Sequence, residues 1–293
     1  MVIVQITGGL GNQLFQYAAA KALSIHHQVP LLLELSSFHR KELPELEVPR
    51  DFELFNFTGI SEKIISPGEL SSLIDLKKTG VLPKMIIPAY KKEIYTEPHY
   101  HFDKNFFKSK KNVLLKGGWQ SEKYFKSYNN EIRANIQLKQ TLVENVIELA
   151  KKIAGENSVA VHIRRGDYLR KKIIQEWHGV MDKEYYVKAF ELLHSKTKAT
   201  KAYYFTDDVD WVSENLLPLF DGEIISGNIA KSHYEDLYLM SQCRHNIIAN
   251  SSFSWWGAWL NDHKDKIVIA PEKWFGNGPK DTQDIIPPEW YKI

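Results

Sequence analysis

The sequence has a single cysteine, almost no net charge and no long uninterrupted apolar run. Because Cys243 stands alone among 293 residues, an internal disulfide is excluded and a reducing compartment is the simplest expectation. A formal net charge of +2 at pH 7 leaves no basic footprint, so no nucleic-acid partner is expected. No apolar stretch is long enough to span a bilayer, and Met1 leads directly into a strand-like segment rather than a signal peptide.

Apolar residues, by contrast, are plentiful and regularly spaced. With 43% hydrophobic and 12% aromatic residues, the chain can bury enough core for one large or two modest domains. Strand-like segments alternate with amphipathic helical ones, which indicates an α/β fold. Residues 38–112 are less regular and give no clear assignment. The predicted strands are residues 2–7, 31–35, 113–116, 158–163, 202–206, 246–249 and 267–270.

A turn-like segment at residues 155–157 (GEN) separates two alternating series. An amphipathic helix at residues 142–150 precedes it, and the strand at residues 158–163 follows it. We therefore predict two Rossmann-like halves, residues 1–155 and residues 156–293.

Residues 161–170 (VHIRRGDYLR) end an apolar strand with two arginines, a glycine and an aspartate. Arginine presents a planar, permanently charged fork that matches phosphate oxygens, and open α/β sheets bind ligands outside the carboxyl ends of their strands. Strand alternation places His162 and Arg164 on one face, so one ligand could meet both side chains. The alternative is a solvated ion-pair cluster of Arg164, Arg165 and Asp167.

Residues 246–260 predict a buried strand followed by a helix. Asn250, Ser251 and Ser252 fall where the strand ends and the helix begins. Hydroxyls and free backbone N–H groups at a helix N-terminus bind anions. Alternatively, Ser251 or Ser252 is only an N-cap, and the aromatic run that follows is core.

Together with other segments, these motifs resemble those of glycosyltransferase family 11, the α-1,2-fucosyltransferases. The resemblance runs in the family's order from residue 4 to about residue 276. The paired-arginine motif alone is shared with several fucosyltransferase families, but the whole set is highly specific. The matching segments are residues 8–17 (GGLGNQLFQY), 119–125 (WQSEKYF), 162–168 (HIRRGDY), 205–208 (FTDD) and 250–259 (NSSFSWWGAW).

The resemblance implies a GT-B architecture, with the acceptor on the N-terminal half and GDP-fucose mainly on the C-terminal half. It also implies inverting transfer of L-fucose from GDP-β-L-fucose to the 2-hydroxyl of a terminal galactose. Arg164 is then the candidate that stabilises charge on the leaving phosphate, with Arg165 supporting it or holding the loop. Ser251 and Ser252 would complete the diphosphate cradle.

Four more residues are donor-binding candidates. His162 and Asp236 match base-contacting residues of related fucosyltransferases, and a carboxylate can accept both N–H hydrogen bonds of guanine. In the N-terminal loop the candidates are Gly9 and Asn12, and the pair Asn12 and Gln13 could bind sugar hydroxyls or the diphosphate.

The general base stays open between Asp167, Glu176 and His178. Asp208 and Asp210 form the D-x-D pattern that holds a divalent cation in metal-dependent glycosyltransferases. They follow a strand and enter a helix, so Asp207 or Asp208 is a good cap, and the paired arginines can supply the positive charge of a metal. We therefore predict no metal ligand, no cofactor, and activity without added divalent ion.

Two other functions compete with this one. The Gly-rich loop could belong to an NAD(P)-dependent dehydrogenase, but Leu14 stands where the third glycine of that fingerprint belongs. A non-catalytic nucleotide-sugar or glycan-binding protein would have the same sequence features.

The remaining expectations concern the cellular location of the protein and the identity of the acceptor glycan. Animal relatives carry a Golgi membrane anchor, and its absence here predicts a soluble, cytoplasmic, bacterial enzyme. Lys-rich residues 108–111 (KSKK) could attract it peripherally to an anionic membrane, although a solvated loop is the favoured interpretation. The rest of the acceptor glycan and the oligomeric state stay open.

Overall fold

The chain forms two α/β units, each with its own parallel sheet. Its computed structural model describes residues 1–40, 48–74, 93–139, 142–198 and 200–293. The first unit comprises Met1–Gln137 and Gln283–Ile285, and the second comprises Leu138–Thr282 and Ile286–Ile293.

The first unit contains a five-stranded sheet. Its strands are β1 (Val2–Gln5), β2 (Leu31–Glu34), β3 (Lys63–Ile64), β4 (Glu93–Thr96) and β5 (Val113–Lys116). All pair in parallel, in the order β3-β2-β1-β5-β4. Its helices are α1 (Leu10–His27), α2 (Pro67–Ile74) and α3 (Asn129–Asn135), with 3-10 turns at Ser36–His39, Leu54–Asn56, Phe106–Lys108, Glu122–Tyr124 and Lys126–Tyr128.

The core of the first unit explains its elements. Val2, Ile3 and Val4 of β1 are fully buried, as expected for a central parallel strand that is covered on both faces. Helix α1 contacts β1, and its small residues 18–20 (AAA) are also fully buried. Alanine is the best helix former, so the same residues stabilise the helix and allow it to pack closely on the sheet.

The second unit contains a six-stranded sheet. Its strands are β6 (Ser158–Ile163), β7 (Lys201–Thr206), β8 (Gly222–Ile224), β9 (His245–Ile247), β10 (Val268–Ala270) and β11 (Tyr291–Lys292). All pair in parallel, in the order β11-β10-β9-β6-β7-β8. Its helices are α4 (Glu144–Gly155), α5 (Gly166–Arg170), α6 (Lys172–His178), α7 (Lys183–Lys196), α8 (Val209–Asn215), α9 (His233–Gln242) and α10 (Ser252–Leu260).

Each sheet has a point where the direction of strand addition reverses. In the second unit, β7 and β8 extend the sheet from β6 to one edge, whereas β9, β10 and β11 extend it to the other edge. The switch point therefore lies between β6 and β9, and ligands of doubly wound sheets bind outside the carboxyl ends of strands at such a point. In the first unit the corresponding point lies between β1 and β5.

The predicted fold class is confirmed, but the boundary between the units lies one helix earlier than predicted. The GEN turn at residues 155–157 joins α4 to β6 within the second unit. Helix α4 buries Val146, Leu149 and Ile153, and it packs against α9. The apolar face of α4 therefore belongs to the core of the second unit, which the turn pattern alone did not reveal.

Near the C-terminus, the chain contributes to the two units in succession. Asp284 belongs to the first unit, where its carboxylate accepts the Phe102 N–H at 3.0 Å and pairs with Lys123 Nζ at 2.5 Å. The next residues end in β11, which pairs with β10 of the second unit at Ile269 and Tyr291.

Part of the irregular stretch at residues 38–112 forms β3, α2 and β4, whereas residues 41–47 and 75–92 lie outside the described residues. Across the described ranges, no helix combines the length and apolar character needed to cross a membrane.

Candidate active site

The paired-arginine loop lies at the carboxyl end of β6. Strands β6 and β7 are in register there, with Ile163 opposite Thr206, so the residues that follow them face each other. Arg164 Nη1 lies 2.7 Å from Asp207 Oδ2, and Arg164 Nη2 lies 2.6 Å from Asp167 Oδ2. Arg164 is therefore paired with Asp167, as considered from the sequence, and with Asp207, whereas Arg165 pairs with Asp208.

Asp207 also holds the backbone of this loop. Its Oδ1 accepts the N–H groups of Arg165 at 2.8 Å and Gly166 at 2.9 Å. A Cβ at Gly166 would lie only 3.0 Å from the Asp207 carboxyl carbon, so the glycine permits this close approach. One carboxylate thus fixes both the loop and the guanidinium of Arg164.

The charges of this cluster reinforce one another. Burial opposes the charged form of Arg164, but attraction to Asp207 and Asp167 outweighs it, so the pKa of Arg164 is raised. Burial likewise acts to raise the pKa of Asp207, yet Arg164 and the loop N–H groups hold that pKa below its ordinary value. A guanidinium has five N–H donors, so two carboxylate contacts do not exhaust its capacity.

Arg165 is anchored differently. Its Nε lies 3.0 Å from Asp208 Oδ2, and its guanidinium lies 4.4 Å from the centre of the Trp211 ring. Asp208 Oδ1 accepts the Trp211 N–H at 3.2 Å, which confirms the predicted cap at the start of α8. Arg165 therefore ties the loop to α8, and its role in supporting Arg164 stays a prediction.

His162 is almost fully buried at the end of β6, with 5% of its surface exposed. Burial, followed by repulsion from Arg164, lowers its pKa to about 3, so the ring is neutral at pH 7. Its Nδ1 is buried and has no hydrogen-bond partner among the residues that the structure describes, and its ring centre lies 5.6 Å from that of Phe253 in α10. A bound ligand could satisfy such a nitrogen.

Helix α10 begins at the same edge of the sheet. Ser251 is its N-cap residue and has extended backbone angles, but its side chain makes no capping hydrogen bond. Ser252 is the first helical residue. The first N–H groups of any α-helix lack partners within the helix and favour negative charge. The interpretation of Ser251 as only a cap is therefore weakened, and anion binding by Ser251 and Ser252 stays a prediction.

Asn250 fixes the start of α10. It is 2% exposed, and its Nδ2 donates to His178 O at 2.8 Å and Trp274 O at 3.2 Å. Two loops are thereby fastened to the beginning of the helix.

Asp236 lies in the first turn of α9, which a capping box of Ser232 and Glu235 begins. Burial raises the pKa of Asp236 to about 7, although a hydrogen bond from Ser226 partly opposes this. Ser226 Oγ donates to Asp236 Oδ2 at 2.8 Å, and Asp236 Oδ1 is buried with no hydrogen-bond partner in the described part of the chain. This carboxylate thus has one hydrogen-bonded oxygen and one buried oxygen that a ligand could satisfy.

The predicted residues of the N-terminal loop lie in the first unit, at the carboxyl end of β1. A Cβ at Gly9 would lie 3.6 Å from Arg50 Nε, and Asn12 Oδ1 accepts from Gln120 Nε2 at 2.9 Å. Gln13 is buried and structural, because its amide bonds the backbone of the Gly8 loop and of residues 51–53.

Sequence reasoning missed three side chains at this edge of the first unit. Gln120 stands in the recognised segment at residues 119–125, so it could have been found, whereas Arg50 has no sequence signal. Glu97 follows β4 directly, and its carboxylate accepts the N–H groups of Gly118 at 2.7 Å and Trp119 at 3.1 Å. This bond secures a loop in which Trp119 adopts a left-handed φ of 54°.

The three candidate bases have different surroundings. Asp167 pairs with Arg164, and Glu176 is 52% exposed and pairs with Lys172 at 3.7 Å. The His178 ring stacks on Tyr168 with ring centres 4.5 Å apart. Burial lowers the pKa of His178, while nearby Asp167 partly opposes this, so the ring can accept a proton at neutral pH.

Comparison with known proteins now identifies the family. The sequence model of glycosyl transferase family 11 matches residues 68–293. The chain belongs to glycosyl transferase family 11. An alpha-1,2-colitosyltransferase of Escherichia coli is 31% identical, over 100% of this chain and 99% of that protein. The O-antigen biosynthesis glycosyltransferase WbnK of Escherichia coli is 30% identical, over 94% and 95%.

More distant similarity extends to animals and to solved structures. A galactoside alpha-(1,2)-fucosyltransferase 1 of Oryctolagus cuniculus is 26% identical over 50% of this chain and 47% of that protein. The crystal structure of NodZ alpha-1,6-fucosyltransferase soaked with GDP-fucose superposes with a TM-score of 0.52 at 14% identity, covering 88% of this chain and 92% of that one. At this identity the likeness concerns the fold, and the predicted GT-B architecture is confirmed. Membership of family 11 makes the chain a glycosyltransferase and removes the dehydrogenase alternative.

Proposed function

We propose that this glycosyltransferase transfers L-fucose from GDP-β-L-fucose to the 2-hydroxyl of a terminal galactose, with inversion. The observation that carries the proposal is the guanidinium of Arg164, held by Asp167 and Asp207 outside the carboxyl end of β6. It lies at the switch point of the sheet, where α10 also begins.

The chemistry follows from this arrangement. The galactose 2-oxygen attacks C1 of fucose as the bond from C1 to the phosphate oxygen breaks, and the bonding electrons stay on GDP. The proton of the 2-hydroxyl passes to a general base, for which Asp167, Glu176 and His178 are the candidates. Positive charge develops on the sugar and negative charge on the β-phosphate. A guanidinium fixed beforehand lowers the barrier, because it needs no reorganisation when that charge appears. The N–H groups at the start of α10, with Ser251 and Ser252, would hold the diphosphate.

Recognition of the two substrates is divided between the units. In the second unit, Asp236 would accept hydrogen bonds from the guanine N1–H and 2-amino group, and His162 would contact the base. In the first unit, the amides of Asn12 and Gln120 suit neutral sugar hydroxyls, because an amide both donates and accepts.

The transfer needs no metal ion in this proposal. Both oxygens of Asp208 are engaged, one by Arg165 and one by the Trp211 N–H, which supports its assignment as a cap rather than a metal ligand. The test is release of GDP from GDP-fucose in EDTA, with lactose or N-acetyllactosamine as acceptor. We expect acceptor-dependent release and an α-1,2 linkage by NMR. Complete loss of activity in EDTA, restored by manganese, would overturn metal independence.

Colitose is a second candidate donor sugar, and the same assay tests it. The 31% identity to an alpha-1,2-colitosyltransferase extends over the whole chain, so transfer of colitose instead of fucose is the second candidate function. Competition between the two nucleotide sugars, measured as the ratio of kcat/KM, decides between them. Tight binding of GDP-fucose without transfer to any acceptor would instead favour a non-catalytic binding protein.

A further inference from the structure

Ser226 is held in one position by the backbone around it. It lies in a tight segment after β8, where Ile225 N–H donates to Tyr204 O at 2.9 Å and Gly227 N–H donates to Ala230 O at 2.9 Å. Gly227 has a φ of 73°, a left-handed conformation that glycine adopts without strain. The backbone thus sets the place of the Ser226 hydroxyl.

The hydroxyl itself can have only one orientation. Ser226 Oγ accepts the Thr206 N–H at 3.0 Å and lies 2.8 Å from Asp236 Oδ2. A hydroxyl has a single proton, and a carboxylate oxygen is an acceptor, so that proton points at Asp236. The end of β7 is thereby linked through Ser226 to the first turn of α9.

This bond has two effects on Asp236. It fixes the carboxyl plane through Oδ2, which leaves Oδ1 as the oxygen without a partner. It also favours the ionised form of Asp236, against the burial that favours the protonated form. Only the ionised carboxylate is a pure acceptor, as the N–H groups of guanine require.

We propose that Ser226 is a positioning residue for recognition of the nucleotide base, acting through Asp236. The inference rests on the proposed contact between Asp236 and guanine. Ser226 aims the open oxygen of Asp236 and favours the ionised form of the carboxylate. The hydrogen bond from the Thr206 N–H to Ser226 Oγ links this hydroxyl to β7, the strand that precedes Asp207.

Other charges around Asp236 are few. His233 lowers its pKa and Glu235 raises it, both from α9. Of the two helices packed on α9, α10 has no titratable side chain, and the charged residues of α4 are all exposed. On the strand side, Asp207 is paired with Arg164. Substitution of Ser226 therefore alters the ionisation of Asp236 with the least effect on other charged groups.

The test is calorimetric binding of GDP to the full chain from about pH 5.5 to about pH 8.5. Ser226→Ala removes the bond that favours ionisation, so the pH at which affinity is half lost should move upward. At pH 7 the affinity should fall about tenfold and recover partly at higher pH. Ser241→Ala removes a hydroxyl from the same helix, where it donates to Tyr238 O and accepts from Gln242 Nε2, and should leave the profile unchanged.

The double variant separates this inference from the proposed function. If Asp236→Asn leaves GDP affinity unchanged, the guanine contact itself is wrong. If Asp236→Asn weakens binding but Ser226→Ala leaves the pH profile in place, or weakens binding equally at every pH, the positioning by Ser226 is wrong. Ser226→Ala added to Asp236→Asn should have no further effect on affinity.

Discussion

At the carboxyl ends of the strands, the first unit brings two neutral amides into contact, whereas the second unit pairs two arginines with carboxylates. Asn12 and Gln120 join two loops of the first unit by one neutral hydrogen bond. In the second unit, Arg164 and Arg165 are each paired with a carboxylate from the loop after β7. The edge of the first unit thus combines a neutral amide pair with the side chains of Arg50 and Glu97, whereas the edge of the second unit is built around two arginine–carboxylate pairs.

The difference between the two edges indicates that they have different functions. Preorganised charge stabilises a transition state in which charge develops, and its paired carboxylates hold it in place. Neutral amides discriminate between hydroxyl groups by direction, at little desolvation cost compared with buried ions. This difference supports the proposal that the nucleotide diphosphate binds at the arginine pairs and the sugar acceptor at the amides.

Arg164→Ala should give the largest effect. It removes the charge proposed to stabilise the leaving phosphate, so kcat should fall roughly a hundredfold or more. Steady-state kinetics with GDP-fucose would measure this. Arg244→Ala is the matched control, because Arg244 is exposed and immediately precedes β9, at the opposite end of that strand. A comparable loss of kcat in both variants would contradict a specific role for the arginine pairs of the second unit.

Asp236→Asn should affect the donor more than turnover. The amide replaces an acceptor by a donor group facing the guanine N–H groups, so the donor KM should rise about tenfold or more. The raised pKa of about 7 also gives a pH effect: below this value Asp236 is protonated and donor binding weakens, and the asparagine variant should lose this dependence. An unchanged donor KM would remove Asp236 from the site.

Gln120→Ala tests the amide edge. Loss of one neutral hydrogen-bonding group should raise the acceptor KM about fivefold and leave the donor KM unchanged. Gln137→Ala, whose amide bonds only Arg133 O on the surface of the same unit, serves as control. A larger change in donor KM than in acceptor KM would assign this edge to the nucleotide instead.

Glu176→Ala should give the smallest effect. Its carboxylate is half exposed and its ion pair with Lys172 is long, so kcat should change by no more than about twofold. A loss of kcat of more than about tenfold at every pH would identify Glu176 as the general base in place of Asp167 and His178.

Local sequence patterns predicted the second unit better than the first. The bounds of β6 and the cap at Asp208 follow from contiguous residues, because alternation and capping act over a few positions. Arg50, Glu97 and Gln120 come together from distant segments, and no periodicity encodes such contacts. The unit boundary was misplaced for the same reason, since the partner of α4 lies in α9, far along the chain.

The return of the chain to the first unit at Asp284 has a practical consequence for dissecting this protein. A fragment ending at Gln137 would lack the carboxylate that accepts the Phe102 N–H and pairs with Lys123. A truncation before Gln283 would also strip the edge strand from the second sheet. Independent expression of either unit therefore calls for grafting the terminal segment rather than a single cut, and an affinity tag is better placed away from β11.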